Sequence, residues 1–489
     1  MTSARLMDAT VAPVVEATSP AFKQNVREAL ADRQLQEALG AVAPGLAARR
    51  GAARDALPEF EALRDRGREI KNHTLAHLDL YLELFEAKAR AAGSHVHFAP
   101  TPQDARDIIL NICRKADAKV VTKGKSMISE EVGLNHFLEE AGLKVVETDL
   151  GEYLIQIRGE TPSHIIAPAI HLTQAQVEQD FRRLHTSLPR NRVLTEPAQL
   201  VSEARAVLRQ RFLEADVGIT GANFMIAETG STVIVTNEGN GDLTQSLPRV
   251  HVVIASIEKL VPTLEDVGTL LRLLARSATG QEISTYTTFS TGPRRKEDPD
   301  GPQECHIVVL DNGRSQLLGT DFQEVLRCIR CGACMNHCPV YGAIGGHAYG
   351  WVYPGPIGSV LTPALIGVKS SAHLPNASTF CGRCEAVCPM KIPLPGLMRK
   401  WREAEFEGGG GPALFGLGLK LWAALARRPR LYHVATRFAV LGLSGLAMGR
   451  GAFRRLPFAS GWTRHRDFPA PQRRTFQQLW AEHKAGVPR

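Results

Sequence analysis

The chain has 489 residues, is 44% hydrophobic and 22% charged, and carries a formal net charge of +8. That length allows two or three domains with a sizeable core, and the composition excludes a disordered or fibrous protein. From Arg402 onward 15 Lys and Arg face 5 Asp and Glu, so the tail is basic and everything before it is close to neutral. Basicity confined to a tail points to a partner or an anionic surface, such as the inner face of a membrane, rather than to nucleic acid.

The opening MTSARLMDATVAPVVEATSP has no basic stretch followed by an apolar core, so no secretory signal and a cytoplasmic location are expected. Residues 1–69 read as a helical lead-in. The helical spacing of REALADRQLQEALGAVA and LAHLDLYLELFEAKARAA continues to about residue 117, with loops near Pro58 and Pro100. From Ala118 the pattern changes: AKVVTKG, LKVVETDL, YLIQIRG, HIIAPAI, VGITGANFMIA, STVIVTN, VHVVIAS and CHIVVLD read as strands. Several are apolar on both faces, which suits a sheet covered by helices on both sides, so an α/β domain is expected over residues 70–312.

Inside that domain KGKS at 123–126 follows a strand and has amides suited to an anion, but it is not a Walker A loop. Lys119 stands where the first glycine is needed. Gly221, Gly230 and Gly239, with Asn223, Glu228, Thr229, Ser231 and Asn237, fall at predicted strand ends, where such sheets hold ligands. Turn-forming glycines and capping hydroxyls account for the same residues equally well. GPRRKEDPDGPQE at 292–304 reads as a solvated loop, and no Gly-rich dinucleotide fingerprint is present.

Residues 313–400 hold seven of the nine cysteines, all between positions 328 and 388, which favours metal ligation over disulfides. CIRCGACMNHCP, from Cys328 to Pro339, has the bacterial ferredoxin spacing C-x2-C-x2-C-x3-C-P. Three thiolates two residues apart wrap one corner of an iron–sulfur cubane, and the fourth, redirected by Pro339, serves a neighbouring cluster. A zinc site calls instead for two separated C-x2-C pairs.

The second loop, STFCGRCEAVCP, aligned on its Cys-Pro end, pairs Cys388 with Cys338, Cys384 with Cys334 and Cys381 with Cys331, and puts Ser378 opposite Cys328. Crossed ligation then assigns Cys328, Cys331, Cys334 and Cys388 to one [4Fe-4S] cluster and Cys338, Cys381 and Cys384 to a second. The fourth corner of the second has several fates: iron missing, giving [3Fe-4S]; Ser378; water or substrate; or Cys305, His337 or His373. Cys113 and Cys305 otherwise read as buried core thiols, and His347 and Tyr349 as packing beside the clusters. Paired clusters serve single-electron transfer, and an open corner acting as a Lewis acid is the weaker alternative.

EGGGGP at 407–412 reads as a flexible link to an extension over residues 401–489. Its apolar stretch is broken by Lys420, Arg427, Arg428, Arg430 and Arg437 before reaching the ~18–20 residues of a membrane span. A packed helical pair is expected, with an interfacial amphipathic element as the alternative.

CIRCGACMNHCPVYGAIGGHAYGWVYPGPIGSVLTPAL and STFCGRCEAVCPMKIPL together resemble the iron–sulfur proteins of bacterial lactate-utilisation systems, the protein B family. Upstream, IKNHTLAHLDLYLELFE, VTKGKSMISEEVGLN, ETDLGEYLIQ and GITGANFMIAETGSTVIVTNEGNGDLTQSLPRVHVV are similar to the lactate-utilisation domain. The resemblance implies an α/β domain with the fold of CoA transferases, ribose-5-phosphate isomerase and formyltetrahydrofolate cyclo-ligase (NagB/RpiA/CoA-transferase-like), then a helical ferredoxin-type domain and a helical basic extension. It implies an electron-transfer subunit working with an A-type cysteine-rich protein and a C-type lactate-utilisation-domain protein to oxidise L-lactate to pyruvate, supporting growth on lactate. It also implies that three cysteines in the second loop are normal. The alternative is a self-contained transferase or ligase regulated by its clusters, with Glu228 resembling the CoA-transferase nucleophile by fold analogy alone.

Overall fold

The apolar runs after residue 118 assemble, together with one strand before it, into a six-stranded sheet. The ten strands of the α/β region are β1 (His95–Ala99), β2 (Val120–Gly124), β3 (Lys144–Glu147), β4 (Val217–Gly221), β5 (Phe224–Ile226), β6 (Ser231–Thr236), β7 (Val250–Ser256), β8 (Leu260–Val261), β9 (Tyr286–Ser290) and β10 (Glu304–Leu310). In this computed structural model, which describes residues 15–409, 413–447, 449–456, 460–463 and 466–486, the large sheet runs β1-β10-β7-β4-β2-β3 with every pair parallel. The readings of the first fourteen residues, and of Gly410, Gly411 and Pro412, fall outside the described residues.

Every residue of β4 and β7 is buried, as expected of central strands covered on both faces. A smaller sheet, β8-β5-β6-β9, packs beside them and is built on the β5–β6 antiparallel pair. Two glycines of β4 permit close approach: a Cβ at Gly218 would lie 1.8 Å from the Thr244 carbonyl oxygen, and one at Gly221 2.4 Å from that of Lys125.

Two expected strands are not strands. YLIQIRG lies in a helix, Leu150–Arg158, because Asp149 accepts the Gly151 and Glu152 N–H groups at its start and Gly159 (φ 66°) closes its end. HIIAPAI forms turns: the Ile166 and Ala167 N–H groups bend back to His164 Nδ1 (3.1 and 3.2 Å), and the other side of the His164 ring bonds to Asn336 of the cysteine region (3.0 Å). Conversely, β1 lies inside the stretch read as helical, and β9 has no counterpart in the expected set. Both are edge strands whose partly polar sequences, HVHFA and YTTFS, lack the apolar signal of the central ones.

The chain divides into two compact units, residues 1–408 and 409–489. The larger one contains the cysteine region as well as both sheets. Its helix Gly355–Ile366 is buried at all twelve positions, the mark of a helix that forms the centre of a layer. Trp401, from helix Leu394–Glu407, donates to the Val360 carbonyl (2.9 Å) and stacks on Phe322 with centroids 3.9 Å apart.

A buried charge network joins sheet to cysteine region. Arg314, following β10, pairs with Glu131 (2.6 Å) and Glu258 (3.0 Å), and Glu258 also pairs with Arg330 in the first cysteine loop (3.0 Å). Tyr353 donates to Glu131 at 2.7 Å, and Lys71 donates to the Glu258 and Leu260 carbonyls. Burial alone would raise Glu258, but the guanidinium groups of Arg314 and Arg330 outweigh it and hold the carboxyl at about 2.

The smaller unit contains helices Ala413–Ala426 and Pro429–Leu446, a two-residue antiparallel pair (Ala452–Phe453 with Phe468–Pro469) and helix Phe476–Lys484. The expected helical pair is present, but no residue of Pro429–Leu446 is buried, so that helix is not core-packed. No helix among the described residues is long and apolar enough to cross a membrane.

Two outcomes follow from the network. Arg314→Met leaves Glu131 and Glu258 buried without their main partner and is expected to lower unfolding free energy by about 3–5 kcal/mol, read as a shift of the denaturant midpoint. Because the Glu258 pKa is depressed in the folded state, its contribution is present above the ordinary value of 4.5 and is lost as pH falls toward about 2. Acid titration of stability over that window should therefore be shallower in Arg314→Met than in the parent protein.

Candidate functional site

The two cysteine loops repeat one backbone design. At the aligned cysteines, Cys331 and Cys381, the preceding residue has a left-handed conformation, Arg330 at φ 59° and Phe380 at φ 53°, and so does the glycine that follows, Gly332 at 73° and Gly382 at 78°. A one-turn helix follows in both, Ala333–Asn336 and Arg383–Ala386. At the position where the loops differ, the hydrogen bond is the same: Arg330 N–H donates to Cys328 Sγ (3.4 Å) and Phe380 N–H to Ser378 Oγ (3.1 Å).

The seven cysteines fall into two sets. Cys328, Cys331 and Cys334 from the first loop line one small cavity with Cys388 from the second, closed by apolar Ile165, Ile329, Ile357 and Met390. Cys338 from the first loop lines another with Cys381 and Cys384 from the second, and Ser378 stands among them. Of the other candidates for the fourth corner, Cys305 is buried in β10 beside Ser94, His337 donates Nδ1–H to the Ala333 carbonyl (2.9 Å), and neither they nor the exposed His373 lines that cavity. Cys113 is fully buried in the core under the large sheet.

The chemistry of these sets fits iron–sulfur ligation. Burial, and repulsion from Cys388, push Cys331 up to about 12, and burial with repulsion from Cys338 pushes Cys384 up to about 12. Thiols crowded in this way become thiolates readily only when a cation sits between them. Backbone donors aim at the sulfurs, Ile392 N–H at Cys388 and Tyr341 N–H at Cys338 (both 3.5 Å), and buried Tyr349 also bonds to Cys338. Cys381 is exposed, so the second set is the more open to solvent.

The N-terminal helices hold the second loop from outside. Arg64, in helix Phe60–Ala76, donates to the Cys388 carbonyl at 3.1 and 2.6 Å and to that of Ala386 at 3.0 Å, and Arg50, in helix Arg33–Asp55, to that of Val387 at 2.7 Å. Sequence reasoning took these helices as a lead-in, and nothing local to them signals this role. From the α/β region, buried His164 accepts the Ile166 N–H on Nδ1 (3.1 Å), which puts its proton on Nε2, donated to Asn336 Oδ1 (3.0 Å). Burial lowers it to about 4, so it acts as a neutral strut.

A separate cavity of about 170 Å³ opens at the carboxyl ends of β2, β4, β6 and β7. Of the pocket residues expected from sequence, Gly221, Asn223 and Asn237 line it. Gly230, Gly239, Thr229, Ser231 and Glu228 do not, and exposed Glu228 accepts the Leu264 N–H (3.0 Å) at a helix start. The KGKS amide of Lys125 is taken by Glu152 (2.8 Å), and Lys123 is buried against Glu130 and Glu147 (both 2.7 Å). Elsewhere Glu160, His171 and His347 bring ligand atoms within 4.8 Å of one another. Arg158 already pairs with Glu160 (2.8 Å) and His347 with the Thr161 carbonyl (2.7 Å), so ion pairs and hydrogen bonds account for that group.

Three family models match the chain in order: the LUD domain over residues 82–310, a 4Fe-4S dicluster domain over 324–392, and the C-terminal region of lactate utilisation protein B over 402–485. A parallel α/β body fused to a helical region that matches the 4Fe-4S dicluster domain is thus an iron–sulfur protein. Lactate utilization protein B of Bacillus pumilus is 43% identical over 95% of this chain and 98% of its own length, and that of Bacillus cereus 41% identical over the same shares. The chain belongs to the lactate utilization protein B family. A crystal structure of a DUF162-family protein from Deinococcus radiodurans aligns over 48% of this chain and 98% of its own, at 14% identity and a TM-score of 0.28, too remote a likeness to build on.

Removing the outer clamp should show in metal retention. Arg64→Ala is expected to speed the stripping of iron by a chelator about 10-fold or more, since hydrogen bonds from a charged group contribute about 1.5–3 kcal/mol each. An unchanged rate would mean that the arginine holds helix to loop without supporting the thiols.

Proposed function

We propose that this protein is the electron-carrying subunit of a complex that oxidises L-lactate to pyruvate. The observation that carries the reading is the interleaving of the two thiol sets, in which each cysteine loop contributes to both cavities. In this reading Cys328, Cys331, Cys334 and Cys388 hold one [4Fe-4S] cluster, Cys338, Cys381 and Cys384 hold the second, and Ser378 stands at its fourth corner. Bound clusters supply single-electron transfer, which divides the two electrons of an alcohol oxidation into separate steps. The chain's own contribution is to keep the first set dry, to direct backbone N–H groups at the sulfurs, and to leave Cys381 near the surface, where a partner can approach.

The partners implied are the A-type cysteine-rich and C-type lactate-utilisation-domain proteins. The α/β body is taken to share the fold of CoA transferases, and the basic extension to contact a partner. That extension carries exposed Leu421, Trp422, Phe438 and Trp480 among its cations, a mixture suited to a protein surface, and binding to an anionic membrane at the cytoplasmic face is the competing outcome. Truncation after Gly408 separates the two: loss of co-purifying subunits supports the partner reading, and loss of vesicle binding alone supports the membrane one.

Anaerobically prepared protein is expected to hold about seven to eight irons, and lactate should reduce it only when the partner subunits are present. Cys388→Ala should remove the first cluster although it lies in the second loop, roughly halving the iron. Ser378→Cys should retain the second cluster while shifting its EPR signal, and Ser378→Ala should favour the three-iron form. An intact first cluster in Cys388→Ala, or turnover of lactate by this chain alone, overturns the assignment.

A further inference from the structure

The cavity at the carboxyl ends of the parallel strands has a wall that belongs to the first cysteine loop. Arg330, between Cys328 and Cys331, and Tyr353 line it together with Lys125, Lys259 and Asn223 from the α/β region. Strand ends in parallel sheets are where such folds bind small molecules. A volume of about 170 Å³ compares with the ~10–15 Å³ that one water needs by the same measure, so a small organic molecule fits.

Two of its polar groups, Lys259 and Asn223, are donors with spare capacity, and the two carboxylates in the lining, Asp149 and Glu152, are already taken by the Lys125 ammonium and the Lys125 N–H. Lys259 is buried, with 6% of its surface exposed, yet among the described residues its ammonium has no hydrogen-bond acceptor, and the attractions of Glu258 and of Cys328 offset its burial only in part. Its neighbour Lys71 donates to two backbone carbonyls. Asn223 uses its oxygen to accept the Val235 N–H (2.9 Å), and its amide N–H groups have no acceptor among the described residues. Arg330, by contrast, is committed to Glu258 (3.0 Å) and lies 4.9 Å from the Tyr353 ring centroid, and Lys125 is committed to Asp149 and Glu238, so these two shape the cavity and are not free to meet a ligand.

Its apolar lining is Ile165, Ile166, Ile254, Leu274, Ala275 and Ala278. A buried ammonium without an acceptor beside an amide donor calls for an oxyanion, and the aliphatic wall calls for a short carbon chain.

We propose that this cavity binds a small aliphatic monocarboxylate of the hydroxy-acid or oxo-acid class, its carboxylate on Lys259 and Asn223 and its alkyl end against Ala275 and Ala278. The choice of acid rests on the lactate-utilisation reading, whereas the existence of an anion site does not. Arg330, itself part of the first cysteine loop, lines both this cavity and that of the first thiol set, so the two sites adjoin.

The test uses the full cluster-loaded chain and isothermal titration with L-lactate and with pyruvate. One of the two is expected to bind, Lys259→Gln to weaken that binding about 10- to 100-fold, and Lys259→Arg to restore much of it. Ala278→Leu, which fills the apolar wall, should also abolish binding while leaving the iron content and circular dichroism unchanged. The proposal falls if the parent chain binds neither acid, if Ala278→Leu binds as the parent does, or if Lys259→Gln keeps its affinity and changes only the cluster's reduction potential. In that last case Lys259 is a counter-charge to the first thiol set. Failure of binding with lactate-driven reduction of the assembled complex intact removes this site and keeps the electron-carrier reading, and binding without such reduction does the reverse.

Discussion

The rest of the molecule depends on one buried charge network, in which Arg314, Arg330, Lys71 and Lys259 converge around Glu131 and Glu258. Its members come from the helix after β2, the turn after β7, the segment after β10, an N-terminal helix and the first cysteine loop. No single element can satisfy these charges, because removing any partner leaves an ion without water or counter-charge. The α/β body and the thiol region are therefore one compact unit and not two beads on a string. Such a network also fixes the loop geometry: Arg330 adopts a left-handed backbone conformation, uncommon for a residue with a Cβ, while its side chain is pinned by Glu258 and Tyr353.

The same logic governs the second loop, with weaker means. There Phe380 takes the left-handed position and is covered by Arg402, whose guanidinium lies 4.2 Å from the ring centroid. Arg64 and Arg50 hold the carbonyls of residues 386–388. The first loop is thus anchored in the interior by ion pairs, and the second near the surface by hydrogen bonds to backbone. This difference matches the burial of the two thiol sets, one closed by isoleucines and one with Cys381 exposed.

Much of the central sheet was legible because β2, β4, β7 and β10 are continuous apolar runs bounded by turn residues, a signal that burial on both faces imposes. The edge strands β1 and β9 were not, since a strand with one exposed edge tolerates histidines, threonines and serine. YLIQIRG misled because two isoleucines outweighed its caps, Asp149 and Gly159, which decide a nine-residue helix. At the thiol site the Cys-Pro alignment separated the cysteines into the same two groups that line the two cavities. The Arg64 and Arg50 clamp was invisible, because an arginine in an ordinary amphipathic helix carries no sign of what it faces.

By itself the sequence determined the spacing of the cysteines, the equivalence of Ser378 with Cys328, the apolar centre of the sheet and the family to which the chain belongs, since each is a local pattern set by covalent geometry or by burial. Only the tertiary structure decided that Ser378 Oγ receives the same N–H as Cys328 Sγ, that Glu228 stands outside the cavity, and that Lys259 and Arg330, 71 positions apart, line one space between sheet and cysteine loop. Those facts depend on which charges meet after folding, and the partner of a buried charge is chosen by distance in space, which no local run of residues encodes.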